Sequence, residues 1–387
     1  MIPYARQSID QADIAAVLAV LQSDWLTQGP AVPRFEAAVA DYCGAPYASA
    51  VGNGTMALHL ACVALGVGPG DRVWTSPNTF VASANCARYC GADVDFVDID
   101  AETLNLSPTK LAHKLAAARR AGRLPKVVIP VHFAGRSCDM TAIHGLSREF
   151  GFRVIEDAAH ALGATHAGGR VGSCRLSDVT TLSFHPVKHV TSGEGGMLLT
   201  RDPAIHAQLV RLRTHGITRD PSQMQSESEG PWYYEQVELG FNYRMTDLQA
   251  ALGESQMVRL PEFLQRRKQL VQRYRERLAA LPVRLPAADA DTESAWHLFV
   301  VRVPATQRGA VFAAMRAAGI GVNVHYIPVH LQPDYLRLGF RRGQFPEAEQ
   351  YYQEAITLPL YATLSDADQD RVVETLAQAL REGAPCR

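Results

Sequence analysis

The stretch that decides the fold of this chain is Ser183-Phe184-His185-Pro186-Val187-Lys188-His189-Val190-Thr191-Ser192-Gly193-Glu194-Gly195-Gly196. It holds one lysine, Lys188, between an apolar run that ends at residue 184 and a glycine-rich bend before a second apolar run. This pattern predicts a strand, a tight loop and a second strand. A lysine held at such a bend, with its pKa lowered by apolar neighbours, becomes an amine nucleophile that can form a Schiff base with an aldehyde. The alternative is a turn lysine whose charge faces water, the usual situation for an isolated lysine.

The composition indicates a folded protein with a sizeable apolar core. Of the 387 residues, 47% are apolar, and the formal net charge is -1 with acidic and basic residues interspersed. This balance argues against partners such as nucleic acid or an anionic membrane. No apolar run approaches the length of a bilayer span, and the first residues lack the apolar core of a signal peptide. The seven cysteines lack zinc-ligand spacing, so we expect a cytoplasmic protein without a bound metal.

Strand and helix patterns alternate through the first part of the chain. Segments with helical spacing lie between short apolar runs that end in turn residues. This order predicts an α/β fold with a mostly parallel central sheet flanked by helices, whose ligands bind at the carboxyl ends of the strands. The strands are predicted from residue 47 and at residues 71–75, 94–97, 126–131 and 152–155.

The second part of the chain has a different character. A long helical stretch runs from residue 247 to about residue 281, and we expect it to break near Pro261. We therefore expect a large domain over residues 1–250, followed over residues 251–387 by the long linking helix and a small C-terminal α+β domain. Within that domain, strands are predicted at residues 295–303 and 321–324, and helices at residues 308–318 and 366–381.

A glycine-containing turn, Gly52-Asn53-Gly54-Thr55, joins the first predicted strand to a helix. The backbone N–H groups and the dipole of a helix N-terminus suit a phosphate, and Thr55 can add its hydroxyl. The alternative is an ordinary turn in which Asn53 or Thr55 is the helix N-cap. The sequence has no GxGxxG after the first strand and no GxxxxGK[ST], so it signals neither a Rossmann dinucleotide site nor a P-loop.

Further candidate residues follow later strands. Asp157 lies at the end of a predicted strand, Phe80 follows another, and Ser183 shares the strand and loop of Lys188. Pyridoxal phosphate (PLP) needs a helix end for its phosphate, an aromatic face for its ring, a carboxylate for its pyridine nitrogen and a lysine for its aldehyde. Taken singly, Asp157 could be a helix cap and Phe80 a core residue, but the ordered set favours a PLP site.

The chain resembles the DegT-type sugar aminotransferases, which are fold-type I PLP enzymes acting on nucleotide-linked keto-sugars. The likeness extends from Trp25-Leu26-Thr27-Gln28-Gly29 to Leu358-Pro359-Leu360-Tyr361, nearly the whole length. Within the family the chain is most similar to the transaminases of pseudaminic acid synthesis. The stretches that carry this closer likeness are residues 23–30, Ser183-Phe184-His185-Pro186-Val187-Lys188, Gly240-Phe241-Asn242-Tyr243-Arg244-Met245 and Val324-His325-Tyr326-Ile327-Pro328-Val329-His330.

The resemblance implies roles for five residues around the cofactor ring. Lys188 would form the Schiff base, and Asp157 would pair with the pyridine nitrogen. His160 would lie near the phenolic oxygen of the ring, with Ala159 on one ring face and Phe80 on the other. From its sequence position alone, His160 could equally be a core histidine with satisfied hydrogen bonds.

The resemblance also implies a phosphate site and a shared active site. Gly54, Thr55 and Ser183 would hold the phosphate. Asn242 would reach the phosphate bound by the neighbouring subunit, which implies a homodimer with shared active sites. Substrate contacts are implied for Arg244, His325 and Tyr326, although a position at a strand end suits packing for the last two as well as it suits a pocket.

The implied reaction is transamination of UDP-2-acetamido-2,6-dideoxy-β-L-arabino-hex-4-ulose with L-glutamate as the amino donor. Its products would be UDP-4-amino-4,6-dideoxy-N-acetyl-β-L-altrosamine and 2-oxoglutarate. One alternative is an aminotransferase for a different nucleotide-linked keto-sugar, and another is a non-catalytic protein that binds or senses a sugar nucleotide. Family members with histidine in place of the lysine dehydrate sugars, and Lys188 argues against that chemistry.

Overall fold

The computed structural model describes residues 1–288 and 292–382. The α-helices are α1 (Gln11–Leu21), α2 (Ala31–Cys43), α3 (Gly54–Ala64), α4 (Ala82–Tyr89), α5 (Pro108–Arg120), α6 (Met140–Phe150), α7 (Pro203–Leu212), α8 (Asp247–Leu278), α9 (Arg308–Ala317), α10 (Pro333–Arg337), α11 (Pro346–Glu354) and α12 (Asp366–Glu382). The strands are β1 (Tyr47–Val51), β2 (Arg72–Thr75), β3 (Asp93–Phe96), β4 (Val127–Ile129), β5 (Arg153–Asp157), β6 (Thr165–His166), β7 (Gly169–Arg170), β8 (Val179–Ser183), β9 (Gly196–Thr200), β10 (Ile217–Thr218), β11 (Glu235–Gln236), β12 (Thr292–Glu293), β13 (Phe299–Arg302) and β14 (Ala355–Leu358).

A seven-stranded sheet within residues 1–288 forms the centre of the fold, in the order β1-β9-β8-β5-β4-β2-β3. Strand β2 pairs in parallel with β3 and β4, and β5 pairs in parallel with β4 and β8. Strand β9 runs antiparallel to both of its neighbours, β1 and β8. All five residues of β9 are buried, as expected for a sheet that helices cover on both faces. The predicted fold class, α/β with a mostly parallel central sheet flanked by helices, is confirmed.

The stretch at residues 183–196 forms the predicted loop between β8 and β9. The Phe184 N–H donates to the Gly195 carbonyl oxygen at 2.8 Å, and the Ser192 N–H donates to the Phe184 carbonyl oxygen at 3.0 Å. A Cβ atom at Gly196 would lie 2.3 Å from the Asn53 carbonyl oxygen, a distance that no larger residue tolerates. Glycine therefore lets β9 pass directly against the β1–α3 turn, which places that turn beside the loop that carries Lys188.

Helix α8 continues through Pro261, so the predicted break was wrong. A proline inside a helix removes one backbone hydrogen bond and crowds the preceding turn, at a cost of about 3 kcal/mol. The neighbouring Met257, Leu260 and Phe263 are buried, and each such side chain contributes about 1.5–3 kcal/mol. Burial of this face therefore outweighs the cost of the proline.

The C-terminal part of the chain is built on the antiparallel pair β13–β14, with α8, α9 and α12 around one apolar cluster. The predicted strand at residues 321–324 is absent: in the described structure this segment makes one isolated bridge, between Asn323 and Thr357. The Asn323 side chain accepts the Val324 N–H at 2.8 Å, a local bond that competes with strand pairing. Ile2, from the start of the chain, packs into the same cluster. No described helix is both long enough and apolar enough to cross a membrane.

Helix α1 and the segment after it leave apolar side chains uncovered. Ile14, Leu18 and Leu21 recur at helical spacing and are 51%, 48% and 56% exposed. Trp25 and Leu26 follow and are 55% and 49% exposed. We call these five residues the α1 face. Exposed apolar groups concentrated in one place are typical of a surface that another chain covers.

Candidate active site

A cavity of about 580 Å³ opens at the carboxyl ends of β5 and β8 and at the N-terminus of α3. Its volume lies in the range of small-molecule sites, and it occupies the sheet edge at which the strand order predicts ligand binding. It brings together all but two of the residues that the sequence singles out. Those in its lining are Gly54, Thr55, Phe80, Asp157, Ala159, His160, Ser183, Lys188, His325 and Tyr326.

One end of the cavity is the first turn of α3. The Asn53 Oδ1 atom accepts the Met56 N–H at 2.9 Å, so Asn53 is the helix N-cap. The next two residues, Gly54 and Thr55, line the cavity. A Cβ atom at Gly54 would lie 3.3 Å from the Ser183 Oγ atom, which places this hydroxyl against the helix end. The two interpretations of the turn are thus compatible, because the capped helix presents its positive end and two hydroxyls to one place.

Asp157 ends β5 and has both carboxylate oxygens engaged. The Ser83 hydroxyl donates to its Oδ2 atom at 2.6 Å, and the Ala159 N–H donates to its Oδ1 atom at 3.1 Å. The Ser83 hydroxyl is in turn 2.7 Å from the Thr79 Oγ1 atom. These bonds hold the carboxylate in one orientation within the wall of the cavity, as required of a group that must face a cationic nitrogen.

Lys188 lies half-buried in the lining of the same cavity. Desolvation by the surrounding protein lowers the pKa of its amine to about 8, and the Asp157 carboxylate opposes this shift. Its Nζ atom is 3.5 Å from the Nε2 atom of His297. Since an unperturbed lysine has a pKa near 10.4, a far larger fraction of this amine is unprotonated, and therefore nucleophilic, around neutral pH.

His160 is buried beside these groups. Its Nε2 atom is 3.2 Å from the Tyr326 hydroxyl, and within the described residues its Nδ1 atom has no hydrogen-bond partner. Burial, and then the positive charge of Lys188, hold the pKa of His160 well below its usual range. A neutral imidazole with one unpaired buried nitrogen is available to a group bound in the cavity.

His325 and Tyr326 both line the cavity and pack into the fold. The His325 Nδ1 atom is 2.8 Å from the Thr357 Oγ1 atom, and burial lowers the pKa of His325 to about 4. The Tyr326 ring lies with its centroid 6.3 Å from that of Phe80. Both interpretations of this pair, as pocket residues and as packing residues, therefore fit the structure.

The two remaining candidates lie outside the cavity of the chain that carries them. Asn242 is exposed, and its backbone forms an isolated bridge with Thr214. Arg244 is half-buried, with its carbonyl oxygen near Gly52. Neither residue lines the cavity, so their predicted roles toward a phosphate and a substrate stay predictions.

Sequence reasoning missed three residues in the cavity lining or directly beside it. Ser83 lies one helical turn after Phe80, so the spacing could have suggested that the two share a face. Tyr4 lines the cavity from the beginning of the chain, and no sequence signal marks it. His297 lies just before β13 within an apolar run, where it looks like a core residue.

The residues present fit PLP. The Gly54 turn and the Ser183 hydroxyl suit its phosphate, Asp157 suits its pyridine nitrogen, and Lys188 suits its aldehyde. The unpaired Nδ1 atom of His160 is a buried polar group that a bound cofactor can satisfy. In the part of the chain that the structure describes, no group of three or more His, Cys, Asp or Glu side chains could hold a metal ion.

Comparison with known families and relatives gives matches over almost the whole chain. The family model described as the DegT/DnrJ/EryC1/StrS aminotransferase family matches residues 7–377. The spore coat polysaccharide biosynthesis protein SpsC of Bacillus subtilis is 40% identical, in an alignment that covers 98% of this chain and 97% of that protein.

Solved structures show the same architecture. One is the PLP-form of the putative sugar aminotransferase Spr1654 from Streptococcus pneumoniae, with a TM-score of 0.90 and 32% sequence identity. The alignment covers 99% of this chain and 100% of that one. Another is PseC from Helicobacter pylori, an aminotransferase involved in the biosynthesis of pseudaminic acid, with a TM-score of 0.90 and 25% sequence identity. The alignment covers 98% of this chain and 99% of that one.

Proposed function

The chain belongs to the DegT/DnrJ/EryC1/StrS aminotransferase family and is a PLP-dependent sugar aminotransferase. From this we propose which residues carry out the reaction and which sugar receives the amine. Membership confirms the predicted family, class of enzyme and cofactor. The proposed substrate is the UDP-linked 4-keto-6-deoxy-2-acetamido sugar named above, with L-glutamate as donor. A cytoplasmic location, expected from the composition, belongs to the same proposal.

The observation that carries the assignment of roles is the convergence of Lys188, Asp157 and the Gly54 turn on one cavity. When bound, PLP supplies an electron sink for a carbanion at the amine-bearing carbon. Lys188 Nζ takes the proton from the α-carbon of the donor in the first half of the reaction and returns a proton to the sugar carbon in the second. A pKa near 8 suits both tasks, because the amine can lose and regain a proton around neutral pH.

The other residues bind and orient. Asp157, fixed by Ser83, supplies the negative charge that keeps a pyridine nitrogen protonated. Gly54, Thr55 and Ser183 hold the phosphate at the positive end of α3. Phe80 and Ala159 enclose the ring, and His160, held neutral by burial, contributes a hydrogen bond without adding charge.

The choice of sugar rests on likeness to PseC in four sequence stretches and in overall architecture. A second candidate, a different nucleotide-linked keto-sugar, is favoured by the higher identity to SpsC, 40% against 25%. The two candidates share the reaction and differ in the sugar that fits the cavity beside His325 and Tyr326.

A panel of UDP- and dTDP-linked 4-keto sugars and one 3-keto sugar, assayed with glutamate, separates these candidates. We expect the highest kcat/KM with the UDP-linked 2-acetamido-4-keto sugar of L-arabino configuration, and an altrosamine C4 configuration in the product by NMR. A higher kcat/KM for another sugar would select the second candidate. Bound PLP without glutamate-dependent amine transfer to any sugar would instead favour a non-catalytic protein.

The working unit is proposed to be a homodimer with shared active sites. Two observations support this: Asn242 and Arg244 lie outside their own cavity, and the α1 face leaves five large apolar side chains about half exposed. Burying such a face against a second copy would remove its apolar surface from water, at roughly 25 cal/mol per Å². A two-fold dimer would place the same patch on both subunits.

Mixing two impaired variants tests the shared site. Lys188→Ala and Asn242→Ala should each be impaired as homodimers, but a hybrid dimer has one site with an intact Lys188 from one subunit and an intact Asn242 from the other. Activity should therefore reappear on mixing and subunit exchange, at about one quarter of wild type for random pairing in a two-fold dimer. No recovery despite exchange, verified by mass spectrometry of differently tagged subunits, would contradict a shared site.

A further inference from the structure

We propose that His297 is a positioning residue for Lys188, accepting a hydrogen bond from its amine through Nε2 and so holding the amine in place whenever it is not bonded to the cofactor. The contact that carries this inference is the 3.5 Å distance between Lys188 Nζ and His297 Nε2. His297 is buried behind Lys188 and does not itself line the cavity. It can therefore act on the reaction through Lys188 without touching the substrate.

Hydrogen bonds on both sides hold the backbone that carries the His297 imidazole. The His297 N–H donates to the Ala134 carbonyl oxygen at 2.9 Å, and the buried guanidinium of Arg267 donates to the His297 carbonyl oxygen at 3.3 Å. The same Arg267 nitrogen donates to the carbonyl oxygens of Trp296 and Leu360. Helix α8, which carries Arg267, thus holds two backbone positions just before β13, Trp296 and His297, and one just after β14, Leu360.

The surroundings keep His297 neutral. Burial, followed by the charges of Lys188, His160, His189 and Arg267, holds the pKa of His297 well below its usual range. Lys188 in its ammonium form can only donate, so a neutral His297 accepts through Nε2 and carries its ring proton on Nδ1. Within the described residues Nδ1 has no hydrogen-bond partner, so Lys188 is the partner that the structure gives to this ring.

A lysine needs such a partner because its side chain is long. The free side chain has about 2 kcal/mol of rotamer entropy, and a mobile amine spends little time at the position from which it can react. One acceptor at a fixed point restricts the amine without neutralising it. His160, whose ring centroid is 4.3 Å from that of His297, packs against the imidazole and prevents it from turning away.

The inference rests on the proposed role of Lys188, and the experiment that tests it measures the ionisation of the Lys188 amine directly. In the full chain freed of cofactor, Lys188 is reductively methylated with formaldehyde and cyanoborohydride at a series of pH values, and its peptide is quantified by mass spectrometry. Wild type should show a midpoint near pH 8, as the lowered pKa of Lys188 requires. His297→Leu removes the acceptor that stabilises the ammonium form, so its midpoint should move to lower pH.

Activity of the reconstituted enzyme gives a second readout. Loss of one hydrogen bond to a charged group should lower kcat about 10- to 100-fold. The KM values for donor and sugar should change less than about threefold, because His297 does not line the cavity. A proportionate rise in KM with unchanged kcat would overturn the proposal.

Two isosteric variants separate positioning from packing. His297→Gln places a polar group near the Nε2 position and should restore much of the loss, whereas His297→Asn reaches only the Nδ1 position and should behave like His297→Leu. Equal behaviour of the Gln and Asn variants would overturn the proposal. His206→Gln is the matched control, since His206 is half-buried, bonds Ser49 and stacks on Tyr47 away from the cavity.

Wild-type protein labelled with ¹⁵N-histidine provides a test on the unmutated site, in which a variant serves only to assign the resonances. The His297 resonances, assigned with His297→Gln, should show a protonated Nδ1 and an unprotonated Nε2 whose shift follows the titration of Lys188. A proton on Nε2 throughout that titration would overturn the inference. If Lys188 is not the lysine that binds PLP, borohydride reduction of the holoenzyme would leave it unlabelled, which would contradict the proposed function separately.

Discussion

Replacing Lys188 by alanine is expected to reduce transamination by at least about 10⁴-fold, because the variant loses both the amine that attaches the cofactor and the group that moves the proton. The visible absorbance of the covalently attached cofactor should disappear with it. The measurements are the glutamate-dependent rate and the absorption spectrum of the protein with PLP added. Reduction with borohydride should leave no label on the peptide that contains residue 188.

Two control variants make this result specific. Lys188→Arg keeps a positive charge in the cavity but cannot form the covalent bond, so it should be as inactive as the alanine variant. Lys268→Ala removes a half-exposed lysine whose Nζ lies 3.3 Å from Glu293, and it should leave both rate and spectrum unchanged. Lys188→Ala protein that keeps its activity within tenfold would show that the cofactor is attached elsewhere.

Replacing Asp157 by asparagine is expected to lower kcat by about 10²- to 10³-fold, the cost of removing one fixed electrostatic group from an active site. It should also change the ionisation of Lys188. The Asp157 carboxylate raises the pKa of that amine against the lowering effect of burial. Without the negative charge the ammonium form is less stable, so the amine should lose its proton at a pH below 8, as read by pH-dependent methylation of the cofactor-free chain.

Ser83→Ala is the matched control for this prediction. It keeps the carboxylate but removes the 2.6 Å hydrogen bond that orients it. The methylation midpoint of Lys188 should therefore stay near pH 8, while kcat falls about 10-fold or more through loss of one bond to a charged group. If Asp157→Asn left the midpoint unchanged or moved it to higher pH, the electrostatic link between Asp157 and Lys188 would be wrong.

The sequence was most informative where local chemistry and chain order agree. The alternation of strands and helices predicted the parallel sheet, and the glycine-rich bend after Lys188 predicted the loop between β8 and β9. Asp157 could be placed at the cavity because the carboxyl ends of parallel strands meet at one edge of a sheet. These predictions depend on interactions between residues close together in the chain or on a general rule of strand packing.

Sequence reasoning failed where contacts between residues distant in the chain determine the local structure or the surroundings of a side chain. Pro261 predicted a break in α8, but burial of its neighbours keeps the helix continuous. His297 looked like one more apolar-strand residue, because its meaning depends on Lys188 more than a hundred residues away. Tyr4 likewise enters the cavity only because the first residues pack on the C-terminal part of the chain.

The cavity is walled by segments that extend along the chain from Tyr4 to Tyr326. On a ribosome these segments emerge one after another, so the cavity cannot exist until the chain has been synthesised at least through Tyr326 and that segment has met the first residues. Contacts of such long range form slowly, because their loop-closure entropy is lost before the contacts are gained. A ligand that binds the assembled cavity but not the unfolded chain stabilises the native state by mass action. PLP that binds the assembled cavity should therefore stabilise the newly made chain against unfolding.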